Sequence, residues 1–187
     1  MFHVKHLTEK TLKELDIAAD KRKTEKFSLY LEELYRWNKK INMISRKLNK
    51  EEVLAKLLLP SLFPYEIINN GEKILDFGAG GGVASIPLKI FKPDIRLHLL
   101  ESKKKTVAFL EHISLLLDLE LIIINKFVKK KEDIDEKFDW IFIRAVNPEE
   151  IPKGISDRIL YYGEYTGDKF ICKKKIKKGN NSLSILI

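Results

Sequence analysis

The sequence predicts an α/β protein, in which a mostly parallel sheet carries helices on both faces and is joined to a helical N-terminal cap. Helical periodicity fills the first part of the chain, short apolar runs then alternate with helical stretches, and the first apolar run leads into a glycine-rich turn. Alternation of helices with continuously apolar strands is typical of a parallel sheet covered on both faces. We therefore assign residues 1–70 to the cap and 71–187 to the core of one structural unit.

The cap is predicted to contain three helices. The first spans about 8–20 and begins at Thr8, and the third spans about 50–62, begins at Asn49 and ends at prolines. The second, about 24–44, is the most regular, because its buried-side residues recur at steps of three and four. These residues are Phe27, Tyr30, Leu31, Leu34, Trp37, Asn38 and Ile41. Their spacing favours a core-facing side, with a surface for stacking bases as the alternative.

The core is predicted from alternating segments. Apolar strand candidates are KILDF, IRLHLL, ELIII and FDWIFI, with helices over about 82–91 and over SKKKTVAFLEHISLLLDL. At the end of the chain, KFICKKK and SLSILI are predicted as two strands of a hairpin that turns at Gly179, Asn180 and Asn181.

Composition narrows the class of protein. The chain has 35 Lys and Arg against 27 Asp and Glu, a formal charge of +8, which favours a polyanionic partner such as nucleic acid. A solvated Lys/Glu-rich surface and a membrane surface are the alternatives. We expect no membrane span and no signal peptide, because no apolar run is long enough. Cys172 is the single cysteine, which excludes an internal disulfide and fits the cytoplasm.

The glycine-rich turn indicates which ligand the core binds. It reads DFGAGGG over residues 76–82, with no phosphate-binding lysine and with Val83 where a dinucleotide site has its third small residue. Asp76, two places before the first glycine, suits a ligand with a positive amino group. Glu101 ends the next strand about twenty residues after the turn, where a carboxylate can accept both ribose hydroxyls. Together they predict S-adenosylmethionine, with a turn kept only for packing as the alternative.

The chain resembles the RsmG (GidB) family over about residues 25–147. The resemblance is carried by KILDFGAGGGVASIPLKI, LLESKKKTVAFLEHI and FDWIFIRAV, preceded by LYRWNKKINMISRKLNKEEVLAKLLLPSL. It implies a Rossmann-like class I S-adenosylmethionine-dependent methyltransferase fold. It also implies methylation of N7 of a guanosine in 16S ribosomal RNA of the small ribosomal subunit, with that RNA or subunit as the partner.

Several site residues are expected on this basis. The cofactor residues are Asp76, Gly78, Gly80, Val83, Glu101, Val128, Lys129 and Arg144, of which the resemblance supplies Gly78, Val83, Val128, Lys129 and Arg144. Arg144 matches the arginine of the family's SRA motif and is also an RNA residue. The other RNA contacts are expected among the basic and polar residues that flank the cofactor: Asn42, Arg46 and Lys105, with Lys39, Lys40, Lys47, Lys103 and Lys104. For Arg144, a surface ion pair with Asp139 or Glu149 is the alternative.

The chemistry requires few further groups. Guanine N7 carries a lone pair and no proton, so we expect no general base, no other catalytic residue and no metal site. The segment after the fourth strand has one proline and no aromatic residue, unlike the Asp/Asn-Pro-Pro-aromatic motif of amino-group methylation. Cys172 lies too late in the chain to act as the nucleophile of carbon-5 pyrimidine methylation.

The chain also departs from the family. Lys56, Leu57 and Pro60 replace an arginine, a histidine and an aspartate, and an acid expected after the third strand is replaced by Lys129, with Glu132 or Asp133 as candidate substitutes. Other hypotheses therefore stay open: a methyltransferase with another acceptor, a non-catalytic basic RNA-binding or ribosome-assembly module with a degenerate cofactor site, or a dehydrogenase. We expect a monomer.

Overall fold

The computed structural model describes residues 2–18, 20–129, 133–178 and 181–187. Its helices are α1 (Phe2–Glu14), α2 (Lys21–Asn38), α3 (Lys50–Val53), α4 (Ile86–Phe91) and α5 (Lys104–Leu116). Its strands are β1 (Lys73–Phe77), β2 (Arg96–Leu100), β3 (Leu121–Ile124), β4 (Trp140–Ile143), β5 (Ile159–Tyr161), β6 (Cys172–Lys178) and β7 (Asn181–Leu186).

The strands form one sheet in the order β3-β2-β1-β4-β5-β7-β6. Strands β1 to β5 are parallel to one another, and β7 is antiparallel to both β5 and β6. The predicted mostly parallel sheet is confirmed. The order differs from the 3-2-1-4-5-6 arrangement of dinucleotide-binding domains, because a reversed strand lies between β5 and β6.

The first two cap helices have different bounds from those predicted. Helix α1 begins at Phe2 and Thr8 lies buried within it; the helix is over before Asp16, whose φ of 51° takes the chain out of helical geometry. Helix α2 is capped by Asp20, which accepts a hydrogen bond from the backbone of Lys23 (2.8 Å). It ends at Asn38 rather than near residue 44.

The third predicted helix is present but irregular. Asn49 caps α3 as expected, and Glu52 completes a capping box by accepting from the backbone of Asn49 (3.0 Å). The chain then widens into a π-helical turn at Leu54–Leu58 and tightens into a 3₁₀ turn at Pro60–Leu62. Pro60 has no N–H, so the carbonyl of Lys56 has no α-helical donor four residues later.

The two faces of the sheet are covered differently. On one face, helices α1, α2, α4 and α5 contribute to a single hydrophobic cluster with residues of the sheet. On the other face, the described residues that pack on the strands come from loops after β3, β4 and β5, among them Val128, Phe138, Ile151 and Tyr165. Among the described residues of this second cluster, none belongs to an α-helix. The loops after β3 and β4 carry too few regularly spaced apolar residues to form a core-facing helix.

The cap shares its hydrophobic core with the sheet. The buried side of α2 contains Phe27, Tyr30, Leu31, Leu34 and Asn38, which confirms the predicted core-facing side. The same hydrophobic cluster includes Ile74 of β1 and Leu97 of β2. The division between residues 70 and 71 stays a prediction, because this packing joins the two parts.

Helix α2 also contacts the glycine-rich turn directly. The buried Tyr30 hydroxyl donates to the carbonyl of Gly81 (2.6 Å). A Cβ atom at Gly81 would lie 2.7 Å from Leu34 Cδ1, so a larger residue there would displace the Leu34 side chain. The cap therefore fixes the position of the glycine turn.

The C-terminal strands pair as predicted, with Lys178 opposite Asn181. The turn residues Gly179 and Asn180 lie outside the described residues. Within the described chain, no helix is long and apolar enough to cross a membrane.

Replacing Tyr30 by Phe should lower the free energy of unfolding by about 1–3 kcal/mol, because the buried Gly81 carbonyl loses its donor. Urea unfolding followed by circular dichroism measures this. Tyr65→Phe is the matched control, since the Tyr65 hydroxyl has no hydrogen bond in the described structure. Equal stability losses in the two variants would show that the Tyr30 bond does not hold the turn.

Candidate functional site

A cavity of about 440 Å³ opens at the carboxyl ends of β1, β2 and β4. In open α/β sheets this is the edge where ligands bind, next to the point where the strand order reverses, here between β1 and β4. The cavity is lined by Asn42, Met43, Ile44, Ser45, Leu48, Leu57, Asp76, Gly78, Ala79, Gly80, Gly81, Val83, Ala84, Glu101, Lys103, Arg144, Ala145 and Val146.

The glycine turn supplies the floor of the cavity with bare backbone. Gly78 has a φ of +72°, and a Cβ atom there would lie 2.8 Å from Val146. Gly80 has a φ of +54°, and the nearest atoms to its missing Cβ are 3.9 Å away. Gly78 is therefore required for packing, whereas Gly80 leaves space for a ligand against the backbone.

Glu101 closes one end of the turn. Its side chain is buried and accepts hydrogen bonds from the backbone N–H of Gly80 (3.0 Å) and of Lys103 (2.8 Å). A carboxylate has about four lone-pair positions, so each oxygen can accept one more hydrogen bond. The geometry suits a pair of neighbouring hydroxyl groups.

Asp76 lies at the other end of the turn, 1% exposed. Burial raises the pKa of Asp76 to about 7; the hydrogen bond donated by Ser85 Oγ and the charge of Arg144 oppose this rise, and the charge of Glu101 adds to it. Near neutral pH the carboxyl group is therefore poised between its neutral and charged forms. A ligand with a positive group would stabilise the charged form.

Arg144 follows β4 and joins the core to the cap. Its guanidinium donates to the carbonyls of Leu57 (2.8 Å) and Lys56 (2.7 Å) and lies over the ring of Tyr162, 5.2 Å from the centroid. It thus supplies the donor that Pro60 cannot give to Lys56. Burial lowers the pKa of Arg144, although the side chain keeps its charge at any ordinary pH.

The surface ion pair considered for Arg144 does not form among the described residues. Asp139 pairs with Arg158 (3.7 Å), and Glu149 accepts from the Tyr165 hydroxyl. Next to Arg144, Ala145 has a φ of 60°, an uncommon left-handed conformation for a residue other than glycine, and it lines the cavity.

The cap wall of the cavity is the loop over residues 42–48. The buried Asn38 side chain accepts from the backbone of Met43 (2.8 Å) and Ile44 (2.9 Å) and donates to the Ile44 carbonyl (3.0 Å). These three bonds replace the continuation of α2 and hold the loop against the glycine turn. The cavity wall is therefore fixed by one amide side chain.

Two buried carboxylates bracket a bare-backbone floor, an arginine lies at the β4 side, and Val83, Val146 and Leu57 supply apolar walls. The floor has the shape and the acids have the chemistry for a nucleoside that carries an amino-acid group. A dinucleotide would place its pyrophosphate at the glycine turn, close to the buried carboxyl group of Asp76.

Comparisons with known proteins agree with this geometry. The profile of the family described as rRNA small subunit methyltransferase G matches residues 23–173. The chain belongs to this family. The resemblance to the RsmG (GidB) family predicted from the sequence is thus confirmed.

Relatives of the methyltransferase G family are similar over much of the chain. The ribosomal RNA small subunit methyltransferase G of Aquifex aeolicus is 33% identical over 158 residues, which cover 80% of this chain and 79% of that protein. The Dictyoglomus thermophilum protein of the same name is 35% identical over 148 residues, 76% of this chain and 61% of that protein. The chain spans only 51–59% of the length of three other relatives that it matches.

Solved structures show the same fold. A SAM-dependent methyltransferase from Aquifex aeolicus superposes with a TM-score of 0.56 at 14% identity, covering 81% of this chain and 96% of that one. TrmK from M. capricolum, in complex with S-adenosyl-homocysteine, gives a TM-score of 0.52 at 11% identity over 78% and 68% of the two chains. The predicted Rossmann-like class I methyltransferase fold is confirmed.

Most of the predicted site residues of this family member meet at the cavity. Asp76, Gly78, Gly80, Val83, Glu101, Arg144 and Asn42 all line it. Arg46 lies on the far side of the 42–48 loop, and Lys105 is exposed on α5, outside the cavity lining.

Two predicted cofactor residues lie elsewhere. Val128 is buried in the second hydrophobic cluster, and the Lys129 amine lies 5.6 Å from the ring centroid of Phe127. Neither lines the cavity. Asp133 accepts from the backbone N–H of Lys129 (2.9 Å), whereas Glu132, the other candidate acid, lies outside the described residues.

Several contributors to the site were not predicted. Ser85 donates to Asp76, Asn38 holds the cavity wall, and Ala145 lines the cavity. Lys103, which was expected as an RNA contact, lines the cavity as well. Asn38 alone had a usable signal, because an amide among apolar residues on the buried side of a helix must satisfy its hydrogen bonds.

Proposed function

We propose that this protein is an S-adenosylmethionine-dependent methyltransferase that methylates N7 of a guanosine in 16S ribosomal RNA. The observation that carries the proposal is the pair of buried carboxylates, Asp76 and Glu101, at the two ends of a bare glycine turn, in a chain of the methyltransferase G family. The substrate is the RNA or the small ribosomal subunit.

The cofactor would supply a methyl group that is already activated on a sulfonium. Asp76 would hold the ammonium group of its amino-acid part, and Glu101 would accept from its two ribose hydroxyls. Gly78 and Gly80 would allow close approach of the backbone, and Val83 would contact the ligand from an apolar wall. These contacts fix direction and exclude water, which is what an in-line displacement requires from the protein.

No proton has to be removed from guanine N7. Among the described residues that line the cavity, the ionisable side chains are Asp76, Glu101, Lys103 and Arg144, and the two acids are assigned to the cofactor. The lining is thus suited to alignment, and its two carboxyl groups are already committed to the cofactor. This favours a lone-pair acceptor such as N7 over an amino-group acceptor.

Arg144 would orient the RNA. A guanidinium has five N–H donors, and two of them bond to the carbonyls of Lys56 and Leu57. The remaining donors can bind a phosphate or guanine O6 beside the reacting N7. The rigid attachment to the cap would keep these donors in one position while the base enters.

We further propose that the chain acts as a monomer in the cytoplasm, where ribosomal RNA is found. The free Cys172 and the +8 formal charge support a reducing compartment and a polyanionic partner.

Binding of S-adenosylmethionine should weaken by about tenfold for each pH unit below about 7, because the ammonium group requires the charged form of Asp76, whose pKa is raised to about 7 by burial. The measurement is calorimetric titration between about pH 5 and 7.5, where the α-ammonium of the ligand remains mostly protonated. The titrations should also show proton release on binding at pH 6.

Asp76→Asn is the control for this measurement, since it removes the titrating group and should bind weakly with little dependence on pH. A wild-type affinity that stays constant across the range would contradict the assignment of Asp76 to the ammonium group.

Loss of either acid should reduce methyl transfer to small ribosomal subunits that lack the modification. We expect Asp76→Ala and Glu101→Ala to lower the rate by about 10- to 150-fold at limiting cofactor, since hydrogen bonds to charged groups contribute about 1.5–3 kcal/mol. Arg144→Ala should lower the rate at saturating cofactor. Asp157→Ala, an exposed acid before β5 at the opposite edge of the sheet, is the control.

Mass spectrometry of nuclease-digested RNA identifies the product of these reactions. N7-methylguanosine is expected with wild type and control. Cofactor binding without any methylated RNA would favour another acceptor, and absence of cofactor binding would favour the non-catalytic RNA-binding hypothesis.

A further inference from the structure

A second, smaller pocket lies beside the cofactor cavity. It has a volume of about 270 Å³ and is lined by Tyr35, Asn38, Lys39, Arg46 and Leu48. Leu48 lines both pockets, and Asn38 holds the loop that separates them. The two pockets are therefore on opposite sides of one fixed loop.

The pocket has an aromatic wall. Tyr35 is half-buried, and its ring packs at the margin of the main hydrophobic cluster. Two ammonium groups approach this ring, Lys39 Nζ at 5.5 Å and Lys50 Nζ at 5.7 Å from the centroid. A half-buried aromatic ring flanked by ammonium groups can stack on a flat ligand.

The charges around this ring are not balanced. Lys50 is paired with Glu32 (2.6 Å), but in the described structure neither Lys39 nor Arg46 has an ion-pair partner. Arg46 Nε donates to the Asn38 carbonyl (3.4 Å). This bond anchors the guanidinium and leaves its terminal N–H groups available to a ligand. The pocket thus combines one aromatic face with two uncompensated cations.

We propose that this pocket is a nucleotide subsite, which stacks the base of an RNA nucleotide flanking the methylated guanosine on Tyr35 and binds its phosphate through Lys39 and Arg46. The inference rests on the proposed RNA substrate and adds a second contact point to it. Single-stranded RNA is bound by this combination of stacking platform and basic groove. A nucleotide next to the target would lie across the 42–48 loop from the cofactor.

The test uses fluorescence anisotropy with a labelled single-stranded oligouridylate that contains one guanosine. Tyr35→Leu should weaken binding by about 5- to 150-fold, because stacking contributes about 1–3 kcal/mol per base. Tyr35→Phe keeps the ring and should bind within about twofold of wild type. Calorimetric affinity for S-adenosylmethionine should be unchanged in both variants, which shows that the neighbouring site is folded.

The phosphate contacts are tested by salt dependence. Lys39→Gln and Arg46→Gln should each reduce the slope of log K against log salt by about 0.7, the value for one phosphate contact on single-stranded nucleic acid. Lys21→Gln is the matched control, an exposed lysine on the same helix about 21 Å along its axis from Tyr35. These exposed substitutions keep the test valid if Tyr35→Leu does not fold.

The outcomes separate this inference from the proposed function. If wild type binds the oligonucleotide and methylates RNA while the Tyr35, Lys39 and Arg46 variants behave as wild type, the subsite is overturned and the proposed function stands. If wild type neither binds the oligonucleotide nor methylates RNA, both are overturned.

Discussion

The hydrogen bonds that fix the glycine turn are the constraint on which the rest of the site depends. The cap holds this turn through the bond from Tyr30 to the Gly81 carbonyl, and β2 holds it through the bond from the Gly80 N–H to Glu101. A turn of bare backbone would otherwise be the most mobile part of the cavity. The turn is therefore attached on both sides between Asp76 and Glu101, and the cap contributes its loop over residues 42–48 to the lining of the same cavity.

The same attachment explains how the cap and the sheet act together. The Lys56 carbonyl in the π-helical turn has no backbone donor because residue 60 is proline, and Arg144 donates to it instead. The same hydrogen bond fixes the position of Arg144 at the cavity. The departures from the family at Lys56, Leu57 and Pro60 are therefore compatible with a formed site, since the interaction uses the backbone carbonyls of Lys56 and Leu57 and not their side chains.

The sequence was sufficient for those features that depend on local pattern. The positions of Asp76 and Glu101 could be predicted because each lies at the carboxyl end of a strand, and parallel strands bring these ends to one edge of the sheet. The roles of Asn38 and Ser85 at the site were not predicted. Asn38 bonds to Met43 and Ile44 because α2 ends at residue 38, and Ser85 meets Asp76 through the folded glycine turn. The loops after β3 and β4 were predicted least well. Val128 packs in the second hydrophobic cluster, and no periodic pattern in the sequence of that loop indicates which face of the sheet it contacts. The early end of α2 was missed because a side chain, not a glycine or proline, terminates it.

A crystal structure with bound S-adenosylmethionine would test the roles assigned to Asp76 and Glu101. We expect the ammonium nitrogen within about 3 Å of the Asp76 carboxylate and both ribose hydroxyls within the same distance of Glu101, as charge-assisted hydrogen bonds require. A cofactor bound elsewhere, or bound in this cavity with either carboxylate turned away from it, would show that these roles are wrong.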